Sequence, residues 1–233
     1  MIELSESANP PSIDELATVI PMGDLPAAKT DPDLLVPFGI SDSTRAPLSL
    51  MLRTGDHCLV AGPNRSGRTT TLWTLARQLR EADSDLVMVA VVPHNDAALL
   101  SKLGEGVFDA GGTVDDLNHV LGAAGDDDRR WVIFVDDADR IDLEQGALFT
   151  IARRGPANVS IVAAVRTSTA RQSYSHWSRF VRASGSGILL EPDPTTDGEL
   201  FGVRLPRQRL ATVPGRGYLI AGGEATAMQV AIS

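Results

Sequence analysis

Cysteine is all but absent: Cys58 stands alone, which excludes an intramolecular disulfide and any cysteine-based zinc centre. It lies in the apolar run His57-Cys58-Leu59-Val60-Ala61 and reads as a small core residue rather than a reactive thiol. Lysine is nearly as scarce, with Lys29 and Lys102 against nineteen arginines, a skew that could by itself put arginine where lysine is usual. His57, His94 and His119 show no ligand spacing with one another and read as structural. No apolar run approaches the roughly 18 residues that cross a bilayer. The start, Met1 to Ser7, has neither the basic residues nor the apolar core of a signal peptide, so a cytoplasmic setting is expected.

The chain has 233 residues, 43% of them hydrophobic, enough for one large α/β domain with a full core. Its net charge of −9 hides an asymmetry: residues 1–150 carry a net −14 and residues 151–233 a net +5. A nucleic-acid-binding domain is usually basic over a whole face, so the total argues against strong independent DNA binding. The basic C-terminal part leaves a weaker, oligomer-dependent contact open.

Five prolines in the first 33 residues predict an extended arm or linker over 1–33, with a short helix starting at Ser12. Residues 34–40 and 47–52 read as two strands joined by a polar turn. From Asp56 onward strand and helix alternate: strands over 57–61, 85–92, 131–135 and 159–165, helices over 69–82, 114–124 and 143–153. Continuous apolar strands of this kind suit a parallel sheet covered on both faces. The predicted fold is therefore α/β, a mostly parallel twisted sheet with helices on both faces, spanning 34–233.

The chemistry is concentrated in Gly62-Pro63-Asn64-Arg65-Ser66-Gly67-Arg68-Thr69, the phosphate-loop pattern G-x-x-x-x-G-K-[ST] with arginine in the lysine position. Its context, a strand before and a helix after, is the one the motif requires. Backbone N–H groups of Arg65 to Thr69 would cradle a β-phosphate at the helix N-terminus, Thr69 would ligate Mg²⁺, and Thr70 would lie near the α-phosphate. Arginine keeps the charge but is bulkier and forked, so the exchange is not conservative. The strand over 131–135 ends in Asp136 and Asp137. Asp136 is the candidate partner of the metal's water shell. Asp137 is the candidate catalytic residue that would orient an attacking water. Asp139 reads as a solvated or capping carboxylate.

Taken together, the loop, Val135-Asp136-Asp137-Ala138-Asp139, Val165-Arg166-Thr167 and Pro214-Gly215-Arg216-Gly217-Tyr218-Leu219 resemble the FtsK/SpoIIIE (HerA-type) branch of P-loop translocases. Tyr174-Ser175-His176-Trp177 and the run from Leu200 to Pro206 extend the likeness to C-terminal modules of actinobacterial FtsK-like and EccC/EssC-like chains. The resemblance implies a RecA-like P-loop NTPase fold, ATP and Mg²⁺ as ligands, and Arg166 as a candidate sensor or interface arginine. It also implies neighbouring ATPase modules in the same parent chain, which could be anchored at the membrane, and a secreted helical protein or DNA as the substrate of the assembled oligomer. Active members carry lysine, glutamate and a polar sensor at the places of Arg68, Asp137 and Val165. Three departures in one site point to a module that binds ATP and hydrolyses it weakly or not at all. An active DNA translocase and a cargo-binding module of a type VII secretion ATPase are the alternatives.

Overall fold

The computed structural model describes residues 16–92, 107–109, 122, 128–141, 146–172 and 175–232. In chain order the elements are β1 (Leu34–Ser41), β2 (Pro47–Leu52), β3 (Cys58–Gly62), α1 (Arg68–Ala82), β4 (Val87–Val92), β5 (Val107–Asp109) and β6 (Trp131–Val135). They continue with α2 (Ala147–Arg154), β7 (Val159–Arg166), α3 (Thr167–Gln172), α4 (Ser178–Ala183), β8 (Gly187–Leu190), β9 (Arg216–Ala221) and β10 (Glu224–Val230). The short helix expected from Ser12 lies outside the described residues, as does nearly all of the helix expected over 114–124. The helix predicted from Leu143 is described from Ala147, because Asp142 to Gln145 fall outside.

All ten strands join one sheet in the order β2-β1-β10-β9-β8-β3-β7-β6-β4-β5. The block from β8 to β5 is parallel, as the alternation of strand and helix predicts. The mostly parallel core is as expected, and an antiparallel edge adds to it: β2, β1, β10 and β9 pair antiparallel, and β9 meets β8 antiparallel too. The physical reason is a hairpin. Gly222 and Gly223 both hold positive φ, 59° and 81°, the backbone that a two-residue hairpin loop requires, so β10 folds straight back on β9.

Side chains of the parallel strands alternate between two cores. Val132, Phe134, Val162 and Ala164 meet Leu72, Leu75, Ala76 and Leu79 of α1 on one face. Ile133, Val135, Ile161 and Val165 meet Leu148, Ile151 and Trp177 on the other, so helices cover both faces. Trp177 is core: it is buried, and its indole N–H donates to the Ile141 carbonyl at 3.0 Å. Cys58 is buried as well, which pushes its thiol up to about 12 and leaves it inert. Burial holds the His57 imidazole below its usual range, and its neutral Nδ1 accepts the Ile161 N–H at 3.1 Å.

This topology positions the site. The loop leaves the C-terminal end of β3, and β7 lies between β3 and β6, with Arg166 paired in register to Gly62. Groups that follow β6 must therefore reach over the end of β7 to meet the loop.

Candidate functional site at the phosphate loop

The loop is bent by two left-handed residues, Arg65 at φ 65° and Gly67 at φ 95°. Only glycine adopts Gly67's conformation without strain, and a Cβ there would lie 2.9 Å from the Gly215 nitrogen. The loop is also pinned from the C-terminal side, where Gly215 donates its N–H to the Ser66 carbonyl at 2.7 Å. Pro63, Asn64 and Arg65 form the exposed crest, while Ser66 is buried and its hydroxyl has no partner among the described residues.

α1 begins at Arg68 with Gly67 as N-cap; the cap is not bonded by a side chain, and the first turn holds no acidic residue. A helix N-terminus carries partial positive charge, and Arg68 adds a full charge to it, so this end of the helix requires an anion. The anion present is Asp137. The Arg68 guanidinium is nine-tenths buried. One Nη donates to the carbonyls of Gly62 at 2.7 Å and Pro63 at 2.9 Å; the other donates to Asp137 Oδ1 at 2.7 Å. Its Nε has no partner among the described residues.

Asp137 reaches this position through a left-handed backbone, φ 40° and ψ 45°, which is uncommon outside glycine and turns the carboxylate toward the loop. Arg140 approaches its second oxygen at 3.6 Å. Asp136 is buried and accepts the Thr69 hydroxyl at 2.7 Å and the Asp137 N–H at 3.0 Å. Burial raises its pKa above the ordinary carboxylate value; the two hydrogen bonds oppose the shift only in part. Thr69 and Asp136, 67 positions apart in sequence, thus share one point in space. Among the described residues no cluster of three or more metal-ligating side chains occurs.

Arg166 lies at the end of β7, half exposed, and its Nε pairs with Asp139 at 2.5 Å. Asp139, expected to be solvated or capping, is instead only 2% exposed and is held by that arginine, whose backbone N–H also bonds to it. Val165, where a polar sensor is absent, is packed in the core. Thr70 lies in the first turn of α1 and borders a cavity of about 460 Å³ with Gly67, Trp73, Val213 and Pro214. Sequence reasoning gave Trp73 no role, because it belongs to no phosphate-loop pattern, and named Pro214 only within the segment that carries the family resemblance.

No protein-family model matches the chain. No curated protein matches it either. Solved structures do. The cytoplasmic domain of the type VII secretion ATPase EccC from Thermomonospora curvata superposes with a TM-score of 0.70 at 18% identity, covering 94% of this chain and 28% of that one. The chain shares the fold of FtsK/HerA-type P-loop ATPase modules. EccC ATPases 2 and 3 from the same organism, in complex with a signal sequence peptide, match with the same score and identity over 44% of their length. The pCW3 conjugation coupling protein TcpA, a monomer form with ATPγS, matches with a TM-score of 0.61 at 16% identity over 94% of this chain and 71% of its own. The chain therefore spans less than half the length of the EccC structures. No helix among the described residues is long and apolar enough to cross a membrane.

Proposed function

We propose that this chain is a degenerate ATP-binding module of an FtsK/SpoIIIE-type translocase, kept for assembly and regulation beside active neighbours, and that it hydrolyses ATP weakly or not at all. One observation carries this reading: Arg68 and Asp137, which stand where a phosphate-following lysine and a water-orienting glutamate serve catalysis, are bonded to each other. A carboxylate neutralised by an arginine is a poor acceptor for a proton of water, and an arginine held by that carboxylate and two carbonyls is a poor follower of moving charge.

The site fits a nucleotide nonetheless. The loop keeps its left-handed bends, an α1 N-terminus with no side-chain cap and a buried Ser66 hydroxyl with no partner among the described residues. Arg65 to Thr69 would hold phosphate oxygens through the backbone, with Thr69 and Asp136 holding Mg²⁺. Two protein groups suffice for an ion that retains several waters. Mg²⁺ supplies charge neutralisation along the phosphate chain when bound. Arg166 is assigned to the module interface, where its exposed face would meet an adjoining ATPase.

In this reading the partners are other ATPase modules of a longer cytoplasmic parent chain. A helical export signal is favoured over DNA as the assembly's substrate, because EccC has been captured with a signal sequence peptide and the net charge of −9 disfavours a polyanion. Calorimetric titration with ATP·Mg²⁺, paired with a phosphate-release assay, tests the proposal. Binding with no measurable turnover is expected; no binding at millimolar nucleotide, or brisk turnover, overturns it.

A further inference from the structure

The N-terminal arm is fastened to the nucleotide end of the fold. Leu16, Ile20, Met22 and Leu25 are buried with Ala231 in a small core of their own. Met22 donates its N–H to the Ile232 carbonyl at 3.0 Å, and Ile232 donates back to Ile20 at 2.8 Å. Arg216, buried to 6% exposure, donates to the carbonyls of Leu16 at 2.7 Å and Ala17 at 3.3 Å. The same guanidinium bonds Gln229, and Gln229 bonds the Pro214 carbonyl at 2.9 Å. Pro214 precedes Gly215, whose N–H grips Ser66 of the phosphate loop. A continuous polar relay thus links the arm to the loop.

Between these fastenings the arm crosses the open cavity. Thr18 and Val19 line it together with Gly67, Thr70 and Trp73 and with Pro214. Val19 is 60% exposed, one of only two large apolar side chains so exposed among the described residues. The hollow is lined mainly by apolar surface, which a ligand's apolar face can bury. The hollow shares Gly67 and Thr70 with the phosphate loop, so the matching ligand carries phosphates at one end and a flat, apolar-faced ring at the other.

We infer that residues 18 and 19 close the base end of the nucleotide site, so that nucleotide binding fastens the arm and the arm reports occupancy to whatever chain precedes it. The inference rests on the ATP-binding reading above. It makes binding and arm docking one linked equilibrium, in which each strengthens the other by the same factor.

Hydrogen exchange on the full chain with and without saturating ATP·Mg²⁺, together with calorimetry of Val19→Asp and of the control Met51→Asp, tests it. Met51 is the other exposed large apolar side chain, on β2 and outside the cavity lining. The expected result is several-fold slower exchange at the Met22 and Ile232 amides with nucleotide, roughly tenfold weaker ATP binding in Val19→Asp, and unchanged binding in Met51→Asp. Nucleotide that binds Val19→Asp as tightly as the wild type, with no change in arm exchange, overturns the inference while leaving the ATP-binding reading intact. Failure of any nucleotide to bind overturns both.

Discussion

At the phosphate-loop end of the site the charged groups already have partners within the chain: Arg68 holds Asp137, and Thr69 holds Asp136. Five residues along α1, Trp73 lines a mainly apolar cavity together with Thr70 and Pro214. A ligand entering the first region must compete with an internal anion, whereas the second offers it apolar surface to bury. The contrast divides the proposed binding free energy unequally. Most of it should come from the base end and the backbone cradle, and little from the arginine.

Breaking the cradle gives the largest expected effect. Gly67→Ala puts a Cβ against the Gly215 nitrogen on a left-handed backbone, so ATP binding should be lost and stability should fall by about 1–2 kcal/mol from the backbone alone, lowering the thermal midpoint. Calorimetry and thermal unfolding check this.

A smaller effect of mixed sign is expected at Asp136. Its pKa is raised in the fold by burial, so its ionised form is disfavoured there. The resulting stability cost is present above the folded pKa and is relieved as pH falls through it. Asp136→Asn should therefore raise stability near neutral pH, an advantage that fades in acid, while weakening Mg²⁺-dependent ATP binding. In the wild type that binding should itself decline at a pH above the ordinary aspartate range. Thermal unfolding and titrations across pH check both signs.

The parallel block and the loop were legible in the sequence because both leave local marks. Buried strands read as apolar runs, and the loop as glycines at fixed spacing between a strand and a helix. The β9–β10 hairpin was also marked, by Gly222-Gly223 between apolar stretches, a signal that the sequence reading passed over. The pairing of Arg68 with Asp137 had no local mark. The two lie 69 positions apart, and as isolated departures they read as separate losses; only the crossing over β7 turns them into one ion pair. Asp139 misled for a similar reason, since its partner Arg166 comes 27 residues later. The arm was legible only as proline-rich, because Arg216, the side chain that binds its carbonyls, lies 200 residues beyond Leu16.

The claim that Asp137 occupies the phosphate end as an internal anion is tested most directly by titrating ATP·Mg²⁺ into wild type and Asp137→Ala. Removing the carboxylate strands a buried arginine, so the nucleotide-free variant should lose about 1–3 kcal/mol of stability, and ATP should bind it roughly tenfold more tightly by supplying the missing charge. ATP affinity that is unchanged or weaker in Asp137→Ala would contradict the account.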